Sequence, residues 1–422
     1  MTGGVPTVLV VGRPHSPDPT DLAPLIVTLA ARGNRVIVLG TEEHRDVAAR
    51  AEVGFSLLPP LPEKSPRSQG SKIGELRELF RSLLIDPLAA HWETVERVVE
   101  RERPDVVLAD ALCFAACMLA EYPPRDDRPA VVVLGTIPPP HAQTHAAPYG
   151  LGMQPDESAV NRVRNWVLHQ FMRRVILRPV LPELHSLFYE LTGRVMSRDS
   201  YEAASKAELW VQCEPDRFEY PHTAADNLRL VGALAAAPAV ELPRWWDEAH
   251  QRPIVHARVT LDVPLKRFVV PLVEALDGSG QNLVITGTTT RAVVTALGRE
   301  LPTGTYVAEG LPASRVISHT GVAVMKGYLV HTQHALQQGL PVVTYGSGAE
   351  ERETGARLEW NDCGVHLSTD EPTSEQLRDA VHRVLSAPGY RQAAARIAVQ
   401  AANTDAEASI ADLIEALVPV TR

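Results

Sequence analysis

Apolar positions change period twice within the first forty residues. Thr7 to Gly12 is a short β-branched run, and from Asp18 to Arg32 the residues Leu22, Leu25, Ile26 and Leu29 recur at helical spacing. Gly33 stops that helix, and Arg35 to Leu39 returns to a buried strand. The opening is therefore a β-α-β unit, and a helical crossover between two strands implies a parallel sheet. The alternation continues with strands predicted at Gly54 to Leu58, Asp105 to Asp110 and Ala130 to Gly135. A helix is predicted over Ala111 to Tyr122, with further helical stretches between Ile73 and Arg101. Asp156 to Leu191 is too long for a plain crossover. It reads as an inserted helical lobe, with Trp166, Phe171, Phe188 and Tyr189 mostly in its core.

Strand character resumes at Leu209 to Cys213 and Leu228 to Val231, before a run of Ala, Pro and Gly from Gly232 to Pro243. That run predicts an interdomain linker. A second alternation follows, with strands near Ile254 to Val259, Asn282 to Thr286, Thr305 to Ala308, Val322 to Met325 and Pro341 to Tyr345. Helical segments from Thr373 to Val418 are long enough to pack back across the first domain. At 422 residues the chain exceeds the roughly 250 that one core usually serves. The expected division is 1–235, a linker at 236–249, and 250–422. Both halves read as doubly wound α/β.

Composition narrows the partners. The chain is 45% hydrophobic and 22% charged, without an apolar run near the roughly 20 residues that span a bilayer. It starts directly on Val8 to Val11 with no basic leader, so a soluble cytoplasmic protein is expected, away from membranes. A net charge of −10 with no basic patch argues against nucleic acid. Cys113, Cys117, Cys213 and Cys363 have no metal-ligand spacing and read as small buried hydrophobes. No phosphate-binding loop, zinc motif or Ser-His-Asp elbow is present, and no metal is expected.

Three phrases give the pattern a closer reading: LAARGNRVIVL ending at Leu39, PDVVLADALCFAA from Pro104, and ALQQGLPVVTYGSGAEERETGARLEWNDCGV from Ala335. With Gly339, Pro341, Gly348, Ala349, Arg357 and Gly364, they make the chain resemble the macrolide and antibiotic branch of family 1 glycosyltransferases over almost its whole length. The resemblance implies the GT-B fold, two Rossmann-like domains whose parallel sheets face each other across a cleft.

In that family a His-Gly-Gly-x-Gly-Thr phrase holds the nucleotide diphosphate at a helix start. Glycines admit the phosphates to free backbone N–H groups at the positive end of the helix dipole. Counting back from Gly339 and Pro341 gives KGYLVHTQHAL, with Lys326 for the His, Tyr328 and Val330 for two glycines, and His331 for the Thr. The cradle is expected to be filled. Lys326 either attracts an anion or is solvated or core-facing. The base-stacking Trp falls on Gly310, the ribose-binding Glu on His334, and the sugar-binding Asp-Gln pair on Glu350 and Glu351, which either bind hydroxyls or form acidic surface. A glycine-containing turn is also missing from HARVTLDVP at His256.

The family's catalytic His follows the first strand and is oriented by an Asp that ends a later strand. Here Asp18 falls near the catalytic position, His15 lies three residues upstream, and Asp110 matches the partner. Asp18 and Asp110 also suit local backbone capping. His141 and His145 fall in a loop expected to face the cleft, as solvent-facing residues or substrate contacts. Trp166, Phe171 and Tyr189 belong to the lobe that walls the acceptor pocket in the resembling family.

These losses predict a scaffold that tailors an apolar natural product, a polyketide by preference, without a sugar donor or other cofactor. Intramolecular ring formation, cycloaddition included, or rearrangement is the expected chemistry, with Asp18, Asp110 and His15 as polar groups. The alternatives are an aberrant nucleotide-sugar transferase and a non-catalytic partner of another tailoring enzyme. A homodimer is left open.

Overall fold

The computed structural model describes residues 5–14, 16, 18–61, 72–121, 128–139, 147–156, 158–196, 206–221, 226–236, 241–311 and 319–418. Two separate parallel sheets organise them. The first contains β1 (Thr7–Val11), β2 (Arg35–Gly40), β3 (Gly54–Leu57), β4 (Val106–Asp110), β5 (Ala130–Gly135), β6 (Leu209–Gln212) and β7 (Leu228–Leu230). Its order is β3-β2-β1-β4-β5-β6-β7. The second contains β8 (Ile254–Arg258), β9 (Asn282–Thr286), β10 (Thr305–Ala308), β11 (Thr320–Lys326), β12 (Val342–Tyr345) and β13 (Gly364–Leu367), ordered β10-β9-β8-β11-β12-β13.

The central strands are apolar on both faces because helices cover both. β1, β4 and β5 are buried at every position. On one face of the first sheet Leu9, Val107 and Val131 pack with Trp92, Phe188 and Trp210; on the other, Val8, Leu108 and Val132 pack with Leu25 and Ile26. That second core also takes in Ala406, Ile410, Ala411 and Ile414 from the last helix, Ala406–Leu417. The carboxyl-terminal segment thus returns to the first sheet, as its length predicts. In the second sheet Val255, Ile285, Val324 and Val343 pack with Phe268 and Leu272.

Three local expectations need correction. β13 lies outside the predicted strands, because four residues with only two buried positions give little periodic signal. Ala111 to Tyr122 is broken into a helix at Phe114–Cys117 and a tighter turn at Met118–Glu121, with Tyr122 outside the described residues. The break follows from Asp110, whose carboxylate accepts from the Leu112 N–H and turns the chain before a helix starts. The helical lobe is present as Ala159–Phe171 and Val180–Thr192. Phe188 is fully buried, but Trp166, Phe171 and Tyr189 are exposed rather than core: the first lobe helix turns Asn161, Asn165 and Leu168 inward, and the second turns Val180, Leu184 and Phe188.

All four cysteines are buried and free, as small hydrophobes should be. Among the described residues no helix is long and apolar enough to cross a membrane.

Candidate active site between the two sheets

In each sheet the strand order reverses beside the first strand, and open parallel sheets place ligands at the carboxyl ends of strands at such points. β1, β4, β8 and β11 bring their carboxyl ends to one cleft. Its lining is Arg13, Ser16, Asp18, Asp21, Leu22, Asp110, Thr136, Tyr328, Val330, His331 and Glu350. Leu22 and Val330 are the aliphatic members of this lining.

From the first sheet, Arg13 leaves β1 just after Gly12, where an added Cβ would lie 2.6 Å from His44 Nε2. Arg13 Nη2 donates to Glu350 Oε2 across the cleft at 2.6 Å. Burial disfavours the guanidinium charge, but Glu350 and Asp110 reverse that and hold its pKa above the ordinary value. Asp110 ends β4. Besides the Leu112 N–H at 2.8 Å, it accepts the Thr136 hydroxyl at 2.6 Å. Burial outweighs Arg13 and these hydrogen bonds, so the Asp110 pKa is raised. Capping and cleft exposure coexist in this one residue.

Asp18 caps the turn Pro19–Leu22, accepting from the Thr20 N–H at 3.0 Å. Its other oxygen accepts from Arg258 Nη2 at 2.7 Å. Asp21 Oδ2 lies 3.0 Å from His331 Nε2, and Arg258 is 3.5 Å away. Burial alone would raise the Asp21 pKa, but His331, with Arg258 and His334, holds it well below the carboxylate range. The ligand atoms of Asp18, Asp21 and His331 lie within 4.8 Å of one another, close enough for a cation. Arg258 already supplies positive charge to both carboxylates.

From the second sheet, the helix Leu329–Leu336 begins where the resembling family holds phosphate. Glu350 Oε1 accepts from the Leu329 N–H at 3.1 Å, placing a carboxylate at the positive end of that helix. Tyr328 Oη and Lys326 Nζ both donate to Asp262 Oδ2 at 2.6 Å, and Lys326 Nζ is 3.5 Å from Glu351. Burial opposes the Asp262 charge, but Lys326 and Tyr328 bring its pKa down to about 2. Lys326 is therefore neither solvated nor core-facing but ion-paired. Glu350 and Glu351 are buried, which corrects the reading of them as acidic surface.

His334 is buried, with Nδ1 3.4 Å from Arg258 Nη1, and burial lowers its pKa to about 4. Val330 is buried on the cleft wall, and Gly310 follows β10 half-exposed. Thus Asp18, Asp110, Tyr328, Val330, His331 and Glu350 share one cleft, with Lys326, His334 and Glu351 around it. Trp166, Phe171 and Tyr189 are outside this lining, while His15, His141 and His145 lie outside the described residues. Sequence reasoning missed Arg13, Asp21, Arg258 and Asp262 as site residues. The last two stand in HARVTLDVP, where the substituted turn was a usable signal.

Comparison with known proteins agrees with this fold. The sequence family described as "Erythromycin biosynthesis protein CIII-like, C-terminal domain" matches residues 281–417. The chain is 26% identical over 426 residues to 4'-demethylrebeccamycin synthase from Lentzea aerocolonigenes, covering 97% of this chain and 99% of that protein. It is 29% identical over 355 residues to UDP-glycosyltransferase 2 from Phaeomoniella chlamydospora, covering 80% and 77%. Among solved structures, the calicheamicin glycosyltransferase CalG4 superposes with a TM-score of 0.72 at 20% identity, covering 99% of this chain and 100% of that one. The glycotransferase of kitacinnamycin gives 0.71 at 18%, with the same coverage.

Proposed function

Because the chain belongs to the EryCIII-like family 1 glycosyltransferases of GT-B fold, we propose that it tailors an antibiotic-type small molecule on that scaffold without using a nucleotide sugar. The observation that carries this reading is the Glu350 carboxylate bonded to the Leu329 N–H. A nucleotide diphosphate would need that helix start, and an internal anion holds it. Tyr328 and Lys326, fixed on Asp262, and β-branched Val330 occupy the remaining approach.

The reaction proposed is intramolecular ring closure or rearrangement of an apolar substrate that carries a carbonyl group. Holding a flexible chain in its reactive conformer removes on the order of 7 to 11 kcal/mol of barrier in favourable cases. Asp110, with its raised pKa, is placed to lend a proton to a carbonyl oxygen, and Arg13 beside it stabilises the negative charge that develops there. Asp18 orients Arg258. The first half, 1–235, which carries His15, His141 and His145, is the substrate side; 236–249 joins it to 250–422.

Calorimetry with UDP, dTDP and their sugars tests the donor half of the reading. Affinity is expected no tighter than about millimolar, or about 4 kcal/mol. Incubation of the purified protein with a linear substrate tests the chemistry, with cyclised product expected. Ordinary glycosyl transfer is the second reading, favoured by sequence similarity to 4'-demethylrebeccamycin synthase and UDP-glycosyltransferase 2. Micromolar binding of any nucleotide sugar would establish that reading instead.

A further inference from the structure

The helix Ala159–Phe171 is inside out. Val160, Val163, Trp166, Val167 and Phe171 are 78, 63, 63, 51 and 45% exposed. At about 100° per residue they fill a single arc of roughly 140°. Asn161, Asn165 and Leu168 lie on the opposite side, with Asn165 buried and the other two half-buried. A surface helix stabilised only by its own domain places its apolar arc inward. Here that arc faces solvent, and none of its residues is among those that line the cleft.

Beyond Asp156, which accepts from Ser158 and Asn161 at the helix start, the charges along it are one-sided. Ser158 to Val180 contains Arg162, Arg164, Arg173, Arg174 and Arg178 and no aspartate or glutamate, in a chain of net charge −10. Arg162, Arg174 and Arg178 are exposed. We propose that this face docks an acidic protein, one that presents an apolar centre rimmed by carboxylates. Aromatic residues and arginine, with lysine absent, are the composition of a protein interface core. The planar guanidinium pairs with carboxylates through two parallel hydrogen bonds, which favours a folded acidic surface. A two-fold pairing with another copy would set this arginine-bearing face against itself, which like charges oppose. A helix lying on a lipid surface turns its polar side to water, whereas here Asn161 and Asn165 turn toward the protein.

The test places a photo-crosslinking amino acid at Val163 of the full-length chain, expressed in the organism that produces it. Mass spectrometry identifies the adduct, and the two purified proteins are then titrated by calorimetry at low and high salt. The expected result is one acidic protein whose affinity falls with salt, and at least tenfold further in R162E/R174E and in V163D. Circular dichroism of each variant verifies that the helix persists. Any of four results would overturn the proposal: no adduct, an adduct only to lipid, an adduct only to the chain itself, or a partner whose affinity ignores the charge reversal.

Discussion

Glu350 joins the two halves through opposite ends of one carboxylate, with Arg13 on one oxygen and the Leu329 N–H on the other. Glu350→Gln keeps the shape but leaves a buried guanidinium without its principal counter-charge. Removing one partner of a buried pair typically costs about 3 to 5 kcal/mol, so the urea midpoint is expected to fall by an equivalent amount. The same substitution removes a negative charge that raises the Asp110 pKa. Asp110 is therefore expected to titrate at lower pH in the variant, measurable by carboxyl carbon NMR. The positions of Lys326, Tyr328 and Val330 were legible because Gly339 and Pro341 fix the count back to the helix start. The bonding of Lys326 and Tyr328 to Asp262 was not, since the substituted turn at HARVTLDVP marks a change there but no local pattern links it to residues 64 and 66 positions away.

At the scale of elements, the strands of both sheets were legible where continuous apolar runs left no alternative, β1 and β5 above all. Helical period is less informative about direction: it finds the apolar arc of Ala159–Phe171 but not whether that arc faces a core or solvent. Trp166 and Phe171 were misread for this reason. The turn after β9 gives a sharper prediction. Gly287 has φ of +84°, and an added Cβ would lie 1.9 Å from the Val259 carbonyl oxygen. Gly287→Ala therefore combines a strained backbone with a clash against a neighbouring main chain. A loss of roughly 2 kcal/mol or more is expected in chemical denaturation, whereas Gly278→Ala, also at positive φ but with open space around it, should cost less.

For the whole molecule, four histidines that are buried (His44, His334) or half-buried (His256, His366) set a shared acid limit. Burial lowers the pKa values of His44, His256, His334 and His366 to about 4 each. The unfolded chain, with histidines near their ordinary value of roughly 6.5, binds more protons between the two limits. Their contribution is fully present above about pH 6.5 and is lost as pH falls toward 4. Thermal midpoints measured from pH 7.5 down to 4.5 should decline steadily, and a flat profile would contradict the assignment. His44→Gln should flatten part of that decline while lowering stability at neutral pH, because the ring fills the space beside Gly12 and Gly40.

The helix Ala406–Leu417 has a consequence for how the protein is made. Ile410 and Ile414, near the end of the chain, complete a core begun by Val8 and Val10. A nascent amino-terminal half leaving the ribosome lacks this layer until residues 406–417 have been made, although domains usually fold as units in order of emergence. The side of that core which Ile410 and Ile414 close stays open until they are made. Completion of the first core thus reports that the second sheet has already been translated. A product truncated before Ala406 should emerge aggregated or degraded, even though it encodes all thirteen described strands.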